Sequence, residues 1–185
     1  MSSSFFNTRL IGSIWHVVTG GKSGLPPDPG PKPQMSPPNN HFVGHVPRPL
    51  RHGDVVVIKG MVADEPEKFS INLCCDHHFP PREVAYHSKT IFPASEGDPD
   101  ESHIVTNQKV GNEWQQQSEP HSNPFRPGAE FTISIHLEED GIVTYEGHSN
   151  FVHECLHSHD VGDIKSVQVW HDVRHVRELT FRFAE

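Results

Sequence analysis

The residues between Glu83 and Trp114 hold the chemistry of this chain. The stretch opens E-V-A-Y-H-S-K-T-I-F, passes through a polar loop, and resumes as I-V-T-N-Q-K-V-G-N-E-W. One histidine (His87), one asparagine (Asn107) and one tryptophan (Trp114) stand on two strand-like runs and their exit. These residue types divide the work of holding a small sugar. An indole offers a flat apolar face to the C–H groups of a pyranose, whereas Asn and His supply directional hydrogen bonds to hydroxyls. The polar neighbours of Trp114 (N-E-W-Q-Q-Q) favour a rim position over a core one. Asn107 serves equally well as a cap for the turn at Lys109-Val110-Gly111-Asn112. His87 serves equally well as a hydrogen-bonded strand histidine, and Lys89 alone reads as a solvated strand lysine.

A second pattern needs an answer. His153-Glu154-Cys155-Leu156-His157 spells H-E-x-x-H, which binds zinc when a helix sets the two histidines one turn apart on one face. Here the segment is short, lies between Gly147 and Gly162, and belongs to a series of strands. On a strand the two histidines stand roughly 13 Å apart, beyond joint reach of one ion. No specific metal site is expected, and His77-His78 or His157-Ser158-His159-Asp160 would take up metal only adventitiously. No carboxylate pair, Ser/His/Asp order or phosphate loop falls on matching elements, so neither an enzyme nor a cofactor is expected.

The elements that must position these residues are short β runs. Residues 55–62 (V-V-V-I-K-G-M-V) form one, and 69–73 (F-S-I-N-L) alternates apolar and polar. Further runs cover 129–137, 141–146, 151–157, 164–170 and 179–183, with Pro127-Gly128, Asp140-Gly141 and Glu146-Gly147 as turns. With no helix-period segment, this predicts an all-β sandwich of two antiparallel sheets from about residue 46 to residue 183. Residues 25–49 are crowded with proline and predict an extended linker. The first 20 residues are mildly apolar and either fold back or stay disordered. The expected organisation is a segment 1–45, with its disordered Pro-rich arm, and one recognition domain, 46–185, without internal repeats.

Composition narrows the partners. A net charge of −9 over 185 residues argues against nucleic acid and anionic membrane surfaces. No apolar run approaches the ~20 residues of a membrane helix, and the start, M-S-S-S-F-F-N-T-R-L-I-G-S-I-W-H-V-V, makes a poor secretory signal. Cys74, Cys75 and Cys155 are odd in number and do not make a disulfide framework, so reduced thiols are expected. The chain is expected in the cytoplasm, open to signal-peptide-independent export, with homo-oligomers also open.

Several segments together resemble the carbohydrate-recognition domain of the galectins. Pro49-Leu50-Arg51-His52-Gly53-Asp54 before a Val-rich strand resembles that family's opening L-x-x-G turn. Phe69-Ser70-Ile71-Asn72-Leu73 resembles its F-x-I-N-L strand, and Pro124-Phe125-Arg126-Pro127-Gly128-Ala129-Glu130-Phe131 its P-F-x-x-G-x-x-F entry. The likeness spans residues 46–183 and implies a jelly-roll-like sandwich with sugar on a concave face. It also implies glycan or glycoprotein partners.

The family's binding signature is H-x-N-P-R, then V-x-N, then W-G-x-E-x-R. Its first element has three possible registers. His78-Phe79-Pro80-Pro81-Arg82 mimics it, but tandem prolines cannot donate to a central strand. His121-Ser122-Asn123-Pro124-Phe125-Arg126 has one residue too many, and a one-residue slip reverses the faces. His87-Ser88-Lys89-Thr90-Ile91, bracketed by apolar residues, fits best.

In that register His87, Val105, Asn107 and Trp114 match the family. Lys89 replaces its asparagine, Thr90 its proline, Ile91 its first arginine, Gln115 its glycine, Gln117 its glutamate and Glu119 its second arginine. The resemblance therefore implies a sugar site at His87, Lys89, Val105, Asn107, Trp114 and Gln117. Losing the arginine and glutamate removes charge-assisted bonds of roughly 1.5–3 kcal/mol each. Two functions are expected to compete: a lectin with weak or altered galactoside recognition, or a galectin-like protein that has lost lactose binding and works through protein contacts.

Overall fold

The computed structural model describes residues 41–93, 102–147, 150–156 and 158–185. Residues 1–40 of the segment expected over 1–45, and His157 of the H-E-x-x-H pattern, lie outside these. The described residues form two antiparallel sheets, as the alternating runs predict. One sheet combines β1 (His41–His45), β3 (Lys68–Cys74), β4 (Val84–Ile91), β5 (His103–Val110), β6 (Glu113–Trp114) and β11 (Ser166–His171), in the order β1-β11-β3-β4-β5-β6. A two-residue strand, β7 (His121–Ser122), also pairs with β5. The other sheet runs β10 (Asn150–Cys155), β9 (Ile142–Glu146), β8 (Glu130–Leu137), β2 (Val55–Val62) and β12 (Val173–Arg182).

Strand alternation builds the core. From the first sheet, Phe69, Ile71, Leu73, Tyr86, Ile104, Val167 and Val169 point inward; from the second come Val56, Ile58, Phe131, Ile133, Ile135 and Ile142. Phe69 stacks on Phe131 across the interface at 5.6 Å between ring centroids. Continuous burial of this kind, with polar alternates outside, is what two packed sheets require.

Three details differ from the sequence reading. The sheet begins at His41, because His41–His45 pairs with Trp170–Ser166 although it lies among prolines. The last strand starts at Val173 rather than at 179, and bulges interrupt its pairing with β2 between Val173 and His175 and between Val176 and Glu178. A 3-10 turn at Val161–Asp163, capped by the Asp160 carboxylate accepting from the Gly162 N–H, leads into β11.

His153 lies on β10, as the strand reading requires, and is fully buried. Its Nε2 and the Thr144 hydroxyl both hydrogen-bond the Tyr86 hydroxyl at 2.8 Å, which ties the two sheets together across the core. Tyr86→Phe should therefore lower the urea midpoint by a stability loss of about 1–3 kcal/mol with the slope unchanged. An unchanged midpoint would mean that these bonds hold nothing.

Candidate functional site

On β4 the side chains of Tyr86, Ser88 and Thr90 turn to the core while His87, Lys89 and Ile91 turn outward. Pairing then sets their neighbours. His87 stands between Asn72 on β3 and Asn107 on β5, and Lys89 stands between Ser70 and Val105. A two-residue turn at Gly111-Asn112, with φ of 59° and 68°, brings β6 back along β5 and sets Trp114 opposite Lys109.

The result is an open groove of about 430 Å³ on the outer face of the first sheet. Five of the six residues expected to hold sugar line it: His87, Lys89, Asn107, Trp114 and Gln117. Val105 does not; it is 3% exposed and stands outside the lining. Ile91, which occupies the place of the family's arginine, is also outside it. Four further lining residues escaped the sequence reading: Lys68 and Ser70 on β3, and Trp170 and His171 on β11. His171 has a φ of 73°, off the regular strand, and its side chain lines the groove next to that of Trp170.

A row of hydrogen bonds fixes the floor. Trp170 Nε1 donates to Gln168 Oε1 at 3.1 Å, and His41 Nε2 meets the same oxygen at 3.2 Å. Asn72 Nδ2 donates to the Gln168 carbonyl at 3.4 Å, and Asn72 Oδ1 meets His87 Nδ1 at 2.6 Å. Gln168 and Asn72 are buried, so this row is shielded from water. With an amide oxygen as partner, His87 Nδ1 carries the proton and Nε2 keeps its lone pair as an acceptor. Burial, aided by Lys89 and His171, lowers the His87 pKa to about 4 and keeps the ring neutral.

The other groups complement that acceptor. Asn107 Oδ1 accepts from the Gln108 N–H at 2.8 Å, which leaves its amide N–H groups to donate. Trp114 is 47% exposed, tilts against His87 at 4.8 Å, and lies 5.7 Å from the Lys109 ammonium. Lys109 is itself tied to the Pro81 carbonyl at 2.8 Å, so the indole rests on fixed neighbours. An exposed aromatic face beside a neutral acceptor and an amide donor can take a ring with hydroxyls on its edge.

The family model for galactoside-binding lectins matches residues 41–181, and the chain belongs to that family, the galectins. Galectin-7 of Rattus norvegicus is 28% identical over 134 residues, covering 72% of this chain and 92% of that protein. Galectin-7 of Homo sapiens is 26% identical over 129 residues, covering 70% and 88%. The solved structure of a toad ovary galectin in complex with thio-digalactose shares the fold, with a TM-score of 0.64 and 19% identity. That match covers 77% of this chain and 98% of the toad chain. The family is one of lectins rather than enzymes.

The buried imidazoles make stability depend on pH. His87 and His153 both have pKa values lowered from 6.5 to about 4, by burial first and then by Lys89 and His171 or by His121. Between those values the unfolded chain binds more protons than the folded one. The contribution of the neutral rings is thus complete above pH 6.5 and lost as pH falls toward 4. Urea titrations should show a decline of several kcal/mol across this window, about 3 for each of the two rings. NMR should place the His87 midpoint near 4, and a midpoint near 6.5 would contradict the floor geometry.

Proposed function

We propose that the chain is a galactoside-binding lectin that holds simple lactose weakly and with altered specificity. The observation that carries this reading is the convergence of His87, Asn107 and Trp114 on one groove, with Lys89, Ile91 and Gln117 in place of the family's charged and amide grips. Stacking on Trp114 supplies attraction that tolerates different sugars, whereas hydrogen bonds choose between epimers. With the arginine and glutamate replaced, choice falls more than stacking does. The free thiols of Cys74, Cys75 and Cys155 fit a protein made in a reducing compartment.

Calorimetry should give a millimolar or weaker dissociation constant for lactose, and Trp114→Ala should abolish what remains. The combined change Lys89→Asn, Ile91→Arg and Gln117→Glu should tighten lactose binding, by about tenfold or more for each charge-assisted bond regained. Micromolar lactose binding that survives Trp114→Ala would place the site elsewhere. A glycan array without a single bound galactoside would instead favour a galectin-like protein working through protein contacts.

A further inference from the structure

Beyond the acceptor and the platform, the groove holds two cations that a neutral sugar does not require. Lys68 on β3 pairs with Ile91, and Lys89 on β4 pairs with Ser70, so the two lysines are diagonal neighbours on one face. Residues so placed on adjacent strands lie roughly 7–8 Å apart. Among the described residues neither ammonium makes an ion pair or a hydrogen bond, whereas Lys59 holds Glu178, Arg48 holds Asp54 and Arg177 holds Glu130. Among the described residues no carboxylate lines the groove. Asp172, next in the chain to His171, has its Oδ2 accepting from the backbone N–H groups of Glu67 and Lys68 at 2.9 and 3.0 Å.

In a chain of net charge −9, a groove whose described lining holds two lysines and no carboxylate is set apart. Like charges this close on a sheet cost stability, and an anion between them would reverse that cost. Their field is felt locally. The His171 pKa is lowered by burial and then by Lys68, opposed by Asp172, with Lys89 adding to the shift; Lys89 also lowers that of His87.

We propose that the groove selects galactosides bearing an acidic group, a sulfate or a carboxylate, which Lys68 and Lys89 receive while the sugar ring lies at Trp114. This rests on the galactoside reading above and names its substrate class. Lys68 stands three strand spacings from β6, roughly 14 Å, so the acid enters at the end of the groove away from the indole. The acidic group would also supply the charge-assisted bond lost at Ile91 and Gln117, with the signs exchanged: cations on the protein and the anion on the sugar.

Calorimetry on the full chain tests this with lactose, lactose sulfated on O3 or on O6 of its galactose, sialylated lactose, and sodium sulfate alone. At least one acidic sugar should bind about tenfold or more tighter than lactose at low salt, and the advantage should shrink as salt rises. Lys68→Gln should bring the ratio near one, Lys68→Arg should retain it, and Lys59→Gln, on the other sheet, should leave it unchanged. Acidic sugars binding no tighter than measurable lactose would overturn the proposal and leave the galactoside reading standing. Failure of every galactoside would sink both. Sulfate alone binding as tightly as the sulfated sugars would reduce the groove to a bare anion site and also overturn it.

Discussion

Along Val84–Ile91 the chain serves two media at once, because successive side chains must leave opposite faces of the sheet. The inward set joins the core, with Tyr86 bonded across to Thr144 and His153 on the second sheet. The outward set, His87 and Lys89, is then aimed into the groove without choice. Slipping the register by one residue would bury the lysine and expose the tyrosine, so core packing enforces the site's geometry. The buried amides of Asn72 and Gln168 extend this control sideways, fixing which nitrogen of His87 bears its proton.

How much of this could be read from the sequence follows from where each signal resides. The β runs announce themselves by alternation, and apolar residues around His87-Ser88-Lys89 mark the strand that carries them. Trp114 declares its exposure through its glutamine-rich neighbours. Lys68, Ser70, Trp170 and His171 carry no such local signal, since they reach the groove only because β11 and β3 lie beside β4. One clue was present. If Phe69, Ile71 and Leu73 face the core, Ser70 and Asn72 must face outward as a polar stripe. His41–His45 was hidden by the prolines around it, which mask a strand whose partner lies more than 120 residues away. Val105 matched a family position yet lies buried, since a motif position needs only to support the groove.

Fold and site follow different tolerances. An apolar interior accepts many hydrophobic combinations of similar volume, so a sandwich survives at 19% identity to the toad galectin. The groove has no such latitude, because exchanging an amide for an ammonium, as at Lys89, changes what charge it can face. Family membership therefore settles the scaffold, while a few outward side chains decide what the groove can hold.

The bulged strand β12 has one more consequence. It forms an edge of its sheet, and an edge normally offers a template on which a strand from another molecule can grow. Here two bulges break the even spacing of its pairing with β2, twisting the strand. Arg174, Arg177, Glu178 and Arg182 also crowd it with charge, and the first three are held by Asp64, Glu130 and Lys59. An incoming strand would have to strip water from these groups and follow an irregular ladder. The feature that looked like a flaw in strand pairing thus guards the chain against edge-to-edge aggregation.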